Sequence, residues 1–232
     1  RQHDEEILSS AAAQQSRPGI TVDTALLVGR PATAIVEAAI AFNADLVVAG
    51  SRGRGTLGTM LLGSVSAEIV ETAPVPVLIA RTTSIQRIVL ADDGSPGAAL
   101  ARTLVARMPG FKGLAVRVIS IADQVPGWAG WLEPEAAEEI DAFEAAMQTE
   151  RQHHLETARS GAAELAAAGL VADWSAPIGD PGSEIVAAVQ DFGADLIVMG
   201  TRGQTGLTRL LLGSVARKVL QHAQSSVLVI RA

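Results

Sequence analysis

Two stretches of the chain, "GSRGRGTLGTMLLGSV" at 50–65 and "GTRGQTGLTRLLLGSV" at 200–215, carry the residues best suited to chemistry. Both follow the spacing Gly-x2-Gly-x9-Gly-Ser: Gly50, Gly53, Gly63 and Ser64, then Gly200, Gly203, Gly213 and Ser214. A glycine at a strand end lets a ligand approach the backbone and permits a positive φ. A Gly-Ser pair where a helix begins offers free N–H groups, the positive end of a helix dipole and a hydroxyl, a combination that suits a phosphate. Arg202 adds charge from within the second loop, and Arg52 holds the same place in the first. The plainer alternative is a tight strand-to-helix turn in which Ser214 only caps the helix. Two copies at one spacing weigh toward phosphate.

Competing motifs fail when the copies are compared. Gly53-x-Gly55-x-x-Gly58 fits a dinucleotide fingerprint, yet Thr205 and Thr208 replace two of its glycines in the second copy. Gly58-x4-Gly63-Ser64 imitates a P-loop but lacks its lysine, the usual counter-ion of the phosphates. Of His3, His153, His154 and His222, three lie in helical stretches that read as solvated faces rather than as metal ligands. Trp128 and Trp131 sit in the Pro/Gly-rich connection "QVPGWAGWLEP" (124–134), where packing against the body competes with a lid role. No Ser–His–Asp or paired-carboxylate set stands out. Cysteine is absent, which removes disulfides and thiolate chemistry. The net charge of −7 argues against nucleic acid or an anionic membrane as partner. No apolar run reaches the roughly 18 residues of a membrane span, and a cytoplasmic protein is expected.

The elements that must position these loops follow from a repeat. Sliding the chain on itself by 150 positions aligns residues 1–81 with 151–231 without a gap, and more than a third of the pairs are identical. Such a repeat means duplicated domains; residues 82–150 have no counterpart. The second copy, about 84–232, reads as alternating strands and helices. Strands are expected at 87–92, 113–123, 170–179, 195–200 and 226–232, and helices at 98–108, 135–168, 182–192 and 214–223, with the acidic stretch 133–150 amphipathic. Asp180 and Pro181 form an N-cap and first-turn proline. Strands apolar on both faces, alternating with helices, predict a doubly wound parallel sheet. In that architecture ligands sit beyond the carboxyl ends of the strands, where the winding reverses. The "DDGS" turn after the first strand and the glycine loop after the fourth share one crevice if those strands are neighbours.

Together the glycine loop, "VLADDGSPGAALA" (89–101) and the βα order resemble the universal stress protein family in its ATP-binding class. The resemblance covers essentially the whole chain. It implies a Rossmann-like, five-stranded parallel sheet of order 3-2-1-4-5 in two tandem copies, with 84–232 a complete domain and 1–82 the latter part of another. It also implies ATP, with Mg²⁺, as the ligand. By that resemblance Asp93, preceded by Ala91 and Asp92, lies near the adenosine and Ile121 walls the adenine. Met199, Gly200, Arg202 and Gly203 run along ribose and phosphates, and Gly213, Ser214 and Val215 hold the phosphate end. Gly50, Arg52, Gly53, Gly63, Ser64 and Val65 are their first-copy equivalents. Asp92 departs from the family's usual uncharged residue, and a second carboxylate there would weaken triphosphate binding or favour Mg²⁺. The function implied is a nucleotide-dependent stress or regulatory module. A slow ATP-hydrolysing enzyme and a nucleotide-free interaction module are the alternatives.

Two expectations concern the copies jointly. Their last strands, 75–81 and 226–232, are exposed apolar edges that should pair within the chain or between two chains. The first copy lacks the two strands that would separate its third strand (about 20–29) from its fourth. Its sheet is therefore expected not to survive alone, and its loop to hold phosphate only if roughly 65–70 further residues or another chain supply those strands.

Overall fold

The computed structural model describes residues 2–51, 62–123, 137–201 and 212–231. The first copy contributes α1 (Gln2–Gln15), α2 (Pro31–Ala41), β1 (Val47–Gly50), α3 (Ser64–Thr72) and β2 (Val77–Ala80). From the second come β3 (Arg87–Ala91), α4 (Pro96–Arg107), β4 (Ala115–Ile119), β5 (Ala122–Asp123), α5 (Ala137–Ala167), β6 (Val171–Ser175), β7 (Ile178–Gly179), α6 (Pro181–Phe192), β8 (Leu196–Gly200), α7 (Ser214–His222) and β9 (Ser226–Ile230). Two expected strands each split in two, and β5 and β7 form a separate two-stranded ribbon.

All other strands share one sheet of seven, in the order β1-β2-β9-β8-β3-β4-β6. Five of these strands, β9-β8-β3-β4-β6, belong to the second copy, as many as expected for one domain, and β1 and β2 of the first copy extend the sheet to seven. The copies meet at a seam, where β2 runs antiparallel to β9 with Val77, Leu78 and Ile79 opposite Val229, Leu228 and Val227. Every other pairing in this sheet is parallel. The same seam corrects the expectation that the first copy's strands could not form a sheet: β2 finds a partner in β9, and β1 pairs with β2 along its full length. Residues 20–29, expected as a strand, form none. A strand without a partner would leave its backbone groups unpaired, so the segment stays irregular.

Period-two alternation sorts the strand residues onto two cores. Val89, Ile119, Ile197, Val227 and Val229 face one, together with residues of α2, α3, α6 and α7. Ile88, Leu90, Val116, Val118, Leu196 and Val198 face the other, with residues of α4 and α5. The first cluster runs across the seam and includes Val36, Ile69 and Ile79 of the first copy. The opposite face is covered over the second copy but not the first: Val198 is fully buried, whereas its repeat partner Val48 is 60% exposed.

Capping fixes where the helices start. Ser95 accepts from Ala98 N at 3.2 Å at the start of α4, and Asp180 from Ser183 N at 2.8 Å at the start of α6. Lys218 of α7 lies 2.6 Å from the same Asp180 oxygen, tying α6 to α7. Gly182 lets them approach, since a Cβ there would stand 2.7 Å from Lys218 Cδ. The Lys218 hydrogen bond, then the Ser183 N–H, push the Asp180 carboxyl down to about 2 from its ordinary 3.8. A depressed carboxyl stabilises the fold above its unfolded value and loses that contribution as pH falls through the folded one. Asp180→Asn is therefore expected to reduce the drop in urea midpoint between about pH 4 and pH 2. The change amounts to at most about 1 kcal/mol, because this pair is largely exposed. An unaltered pH profile would overturn it.

Candidate functional site

β3 and β8 are parallel neighbours, with Ile88, Val89 and Leu90 opposite Leu196, Ile197 and Val198. Their carboxyl ends, and so the "DDGS" turn and the base of the second glycine loop, stand side by side. From β3 the sheet continues through β4 on one side and through β8 on the other. This is the point where the winding reverses, and in open α/β sheets it is where ligands sit.

At the β8 end, Gly213 N donates to Thr201 O at 2.8 Å, and Thr201 N donates to Ile230 O at 2.8 Å. The first copy repeats the first of these bonds, with Gly63 N to Ser51 O at 2.8 Å. Each loop is thus pinched shut at its base before its helix begins. Gly213 is the N-cap of α7 (φ −62°, ψ 155°) and Gly63 that of α3 (φ −65°, ψ 150°); as glycines, neither has a side chain with which to cap its helix. The plainer alternative, in which Ser214 only caps the helix, is not what forms: Ser214 stands one residue inside the helix, exposed, as does Ser64. Positive φ is not what these glycines supply, since none of Gly50, Gly63, Gly200 and Gly213 adopts it. Room for close approach is the reason that remains. Arg52, Gly53, Arg202 and Gly203 lie outside the described residues, as do Trp128 and Trp131.

Gly94 (φ 77°) turns the chain at the β3 end. Asp93 Oδ1 accepts from Ser95 N at 3.0 Å, which orients its half-buried carboxylate. Asp92 behaves differently. Its side chain is fully buried; Oδ1 accepts from Gly94 N at 2.9 Å and Oδ2 from the Arg102 guanidinium of α4. Arg102 also donates from Nε to Glu164 of α5 at 2.5 Å. Burial opposes the Arg102 charge, but Asp92 and then Glu164 outweigh it and raise its pKa. Gly161 lets α5 close over this group: a Cβ there would meet Val118 at 3.2 Å and Asp92 Oδ2 at 3.3 Å. The expectation of a second carboxylate acting on a triphosphate is corrected, because Asp92 is neutralised beneath the turn.

Ile121, Met199, Leu212, Ala91 and Val215 belong to one contiguous apolar cluster, together with Ala49 and Leu62 of the first copy. Ile121 and Met199 are 7% and 5% exposed, so they back the crevice rather than protrude into it. Val65, the counterpart of Val215, is 36% exposed.

Sequence reasoning missed one buried group. His154 of α5 lies in a stretch whose sequence reads as a solvated face, yet it is 7% exposed. Its Nδ1 lies 2.8 Å from Ser120 Oγ and its Nε2 3.2 Å from Glu150 Oε1. Glu150 and His154 at i and i+4 were a legible helix pair. Nothing local in the sequence identifies Ser120, 34 residues earlier, as the third member. The trio resembles a hydrolytic set in composition only: Ser120 is 1% exposed, so no substrate reaches its hydroxyl. Its chemistry is to tie α5 to the carboxyl end of β4, beside Ile121. Among the described residues no cluster of three His, Cys, Asp or Glu is arranged to hold a metal, and no helix is long and apolar enough to cross a membrane.

Comparison with known proteins agrees with this geometry. The family model described as "Universal stress protein family" matches residues 1–81 and again 84–231. A universal stress protein of Mycobacterium tuberculosis is 30% identical over 228 residues, spanning 91% of this chain and 70% of that protein. One from Thermus aquaticus is 54% identical over 59 residues, 25% of this chain and 43% of that protein. In fold, a functionally unknown Pseudomonas aeruginosa protein superposes with a TM-score of 0.69 at 22% identity, covering 100% of this chain and 78% of its own. A universal stress protein of Archaeoglobus fulgidus gives 0.64 at 23% identity, covering 99% and 76%. With both segments matched by the family model, and with the two turns set side by side at the reversal of an α/β sheet, the chain belongs to the universal stress protein family.

Proposed function

We propose that the chain is a tandem universal stress protein of the ATP-binding class and acts as a nucleotide-dependent stress or regulatory module. In this reading residues 84–232 form the complete nucleotide-binding domain and 1–82 the latter part of a second. The adenosine lies against the Asp93 turn and the Ile121 wall. The phosphates lie against Gly200, Arg202, Gly203, Gly213 and Ser214 at the start of α7. One observation carries the reading: β3 and β8 are adjacent and parallel, so an oriented carboxylate and a helix N-terminus that begins at a glycine open onto one crevice. The carboxylate suits ribose hydroxyls and the helix end suits phosphate. Mg²⁺ enters with the nucleotide and lowers its charge. Turnover is expected to be slow, since the loop has neither the lysine nor the dedicated Mg²⁺ ligand pair of phosphoryl-transfer sites.

Titration calorimetry with ATP·Mg²⁺ tests this directly. One ATP per chain is expected, with GTP binding at least about tenfold more weakly, a difference of roughly 1.4 kcal/mol. Equal heats for ATP and GTP, or none for either, would overturn the proposal.

A further inference from the structure

The seam between β2 and β9 is a backbone ladder, and a ladder does not read sequence. Each last strand is nevertheless followed by an arginine at the same repeat position, Arg81 and Arg231. The two side chains reach across the seam in opposite directions. From β2, Arg81 Nη2 donates to Leu220 O at 2.6 Å and Nη1 to Ser225 O at 3.3 Å. In return, Arg231 Nη2 donates to Glu71 O at 2.8 Å and Nη1 to Ala73 O at 3.1 Å. Arg231 thus grips two carbonyls at the end of α3, and Arg81 one carbonyl of the last turn of α7 together with Ser225 of the turn that follows it.

Those helix ends require such a partner. Both stop at an alanine in extended conformation, Ala73 and Ala223, each with a single cap N–H bond, to Ile69 O and Val219 O respectively. Neither has the left-handed glycine that would bond further carbonyls back into the helix. The last turn of α3 holds no basic residue of its own, and that of α7 only His222. Orphan carbonyls at the negative end of a helix dipole favour a cation. A planar guanidinium fork satisfies two carbonyls at once, which an ammonium does less well. Around this grip the seam is less symmetric. Ser226 Oγ accepts from Arg81 N at 3.0 Å and Thr82 N at 3.1 Å, while the equivalent of Ser226 in the first copy is Pro76.

We infer that Arg81 and Arg231 are the residues that select the partner of each last strand, by engaging the carboxyl end of the helix behind the strand they meet. The partner this surface fits is another unit of the same fold that has a guanidinium directly after its last strand and a helix ending without a glycine. A strand lacking that arginine leaves the helix carbonyls unmet, and the ladder alone does not compensate.

The test is hydrogen exchange on the full chain, comparing wild type with Arg81→Met and Arg81→Lys. In Arg81→Met, amides of Val77–Ala80 and Ser226–Ile230 are expected to lose roughly tenfold in protection, the scale on which sub-global opening is read. Amides of β3 and β4, at the centre of the second copy, should keep theirs. Arg81→Lys should recover part of the seam protection, because it keeps the charge but not the fork. The inference is overturned if the seam amides of Arg81→Met match wild type. It is equally overturned if β3 and β4 lose as much as the seam, or if Arg81→Lys opens as far as Arg81→Met. Arg231→Met is the reciprocal variant and must open the same amides.

Discussion

Replacing Gly213 with aspartate is expected to lower ATP affinity about 100-fold or more while leaving the chain folded. Gly213 is the N-cap of α7, in extended conformation at φ −62° and ψ 155°. An aspartate adopts that conformation readily and is among the best N-caps, so the helix should gain slightly in stability. The same carboxylate takes the N–H groups proposed to hold phosphate and sets a negative charge beside it. Two unit charges about 5 Å apart at an effective dielectric of about 20 repel by roughly 3 kcal/mol, which corresponds to about two decades in affinity. Gly63→Asp is the matched control. The first loop has no counterpart of the Asp93 turn beside it, because β1 is the outer strand of the sheet, so this change should leave ATP affinity as it is. Calorimetry on both variants, with urea melts alongside, decides the matter. Wild-type affinity in a folded Gly213→Asp protein would remove the phosphates from the start of α7.

The largest stability effect is expected from Arg102→Met. Asp92 is fully buried and its Oδ2 relies on Arg102. Removing the guanidinium leaves a carboxylate in the core without its counter-ion, which costs about 3–5 kcal/mol. For a chain of this size that lowers the melting temperature by roughly 10 °C. Asp92→Asn in the same background should restore most of the loss, because the amide oxygen still accepts from Gly94 N and no charge remains. Arg117→Met serves for comparison: Arg117 meets Asp173 at 2.8 Å and Asp191 at 3.0 Å, but those carboxylates are 50% and 78% exposed. Its loss should cost about 1 kcal/mol or less. If urea denaturation gives Arg102→Met and Arg117→Met the same midpoint, the buried pair is not what supports the turn.

Much of the architecture was legible because its signals are local. The runs "IVLA" (88–91) and "LIVM" (196–199) are apolar at every position, which only a strand covered on both faces tolerates. Asp180-Pro181 marked the start of α6 through chemistry confined to one turn of helix. The repeat, the glycine spacing and the family likeness needed no coordinates. Tertiary structure decided what depends on partners distant in sequence. Asp92 read as an extra charge facing a phosphate, and only its meeting with Arg102 and Glu164 turned it into a buried support. His154 read as solvated until α5 brought it to Ser120. Residues 20–29 have strand-like composition but form no strand, because β-structure exists only as pairing and no described strand pairs with them. By the same physics β2 did find a partner: its free edge met β9, an arginine from each side reached toward the other's last helix, and the strands of both copies became one sheet of seven. A residue's propensity is a property of its own segment, whereas a hydrogen bond or an ion pair belongs to two, and the second member is set only by the fold.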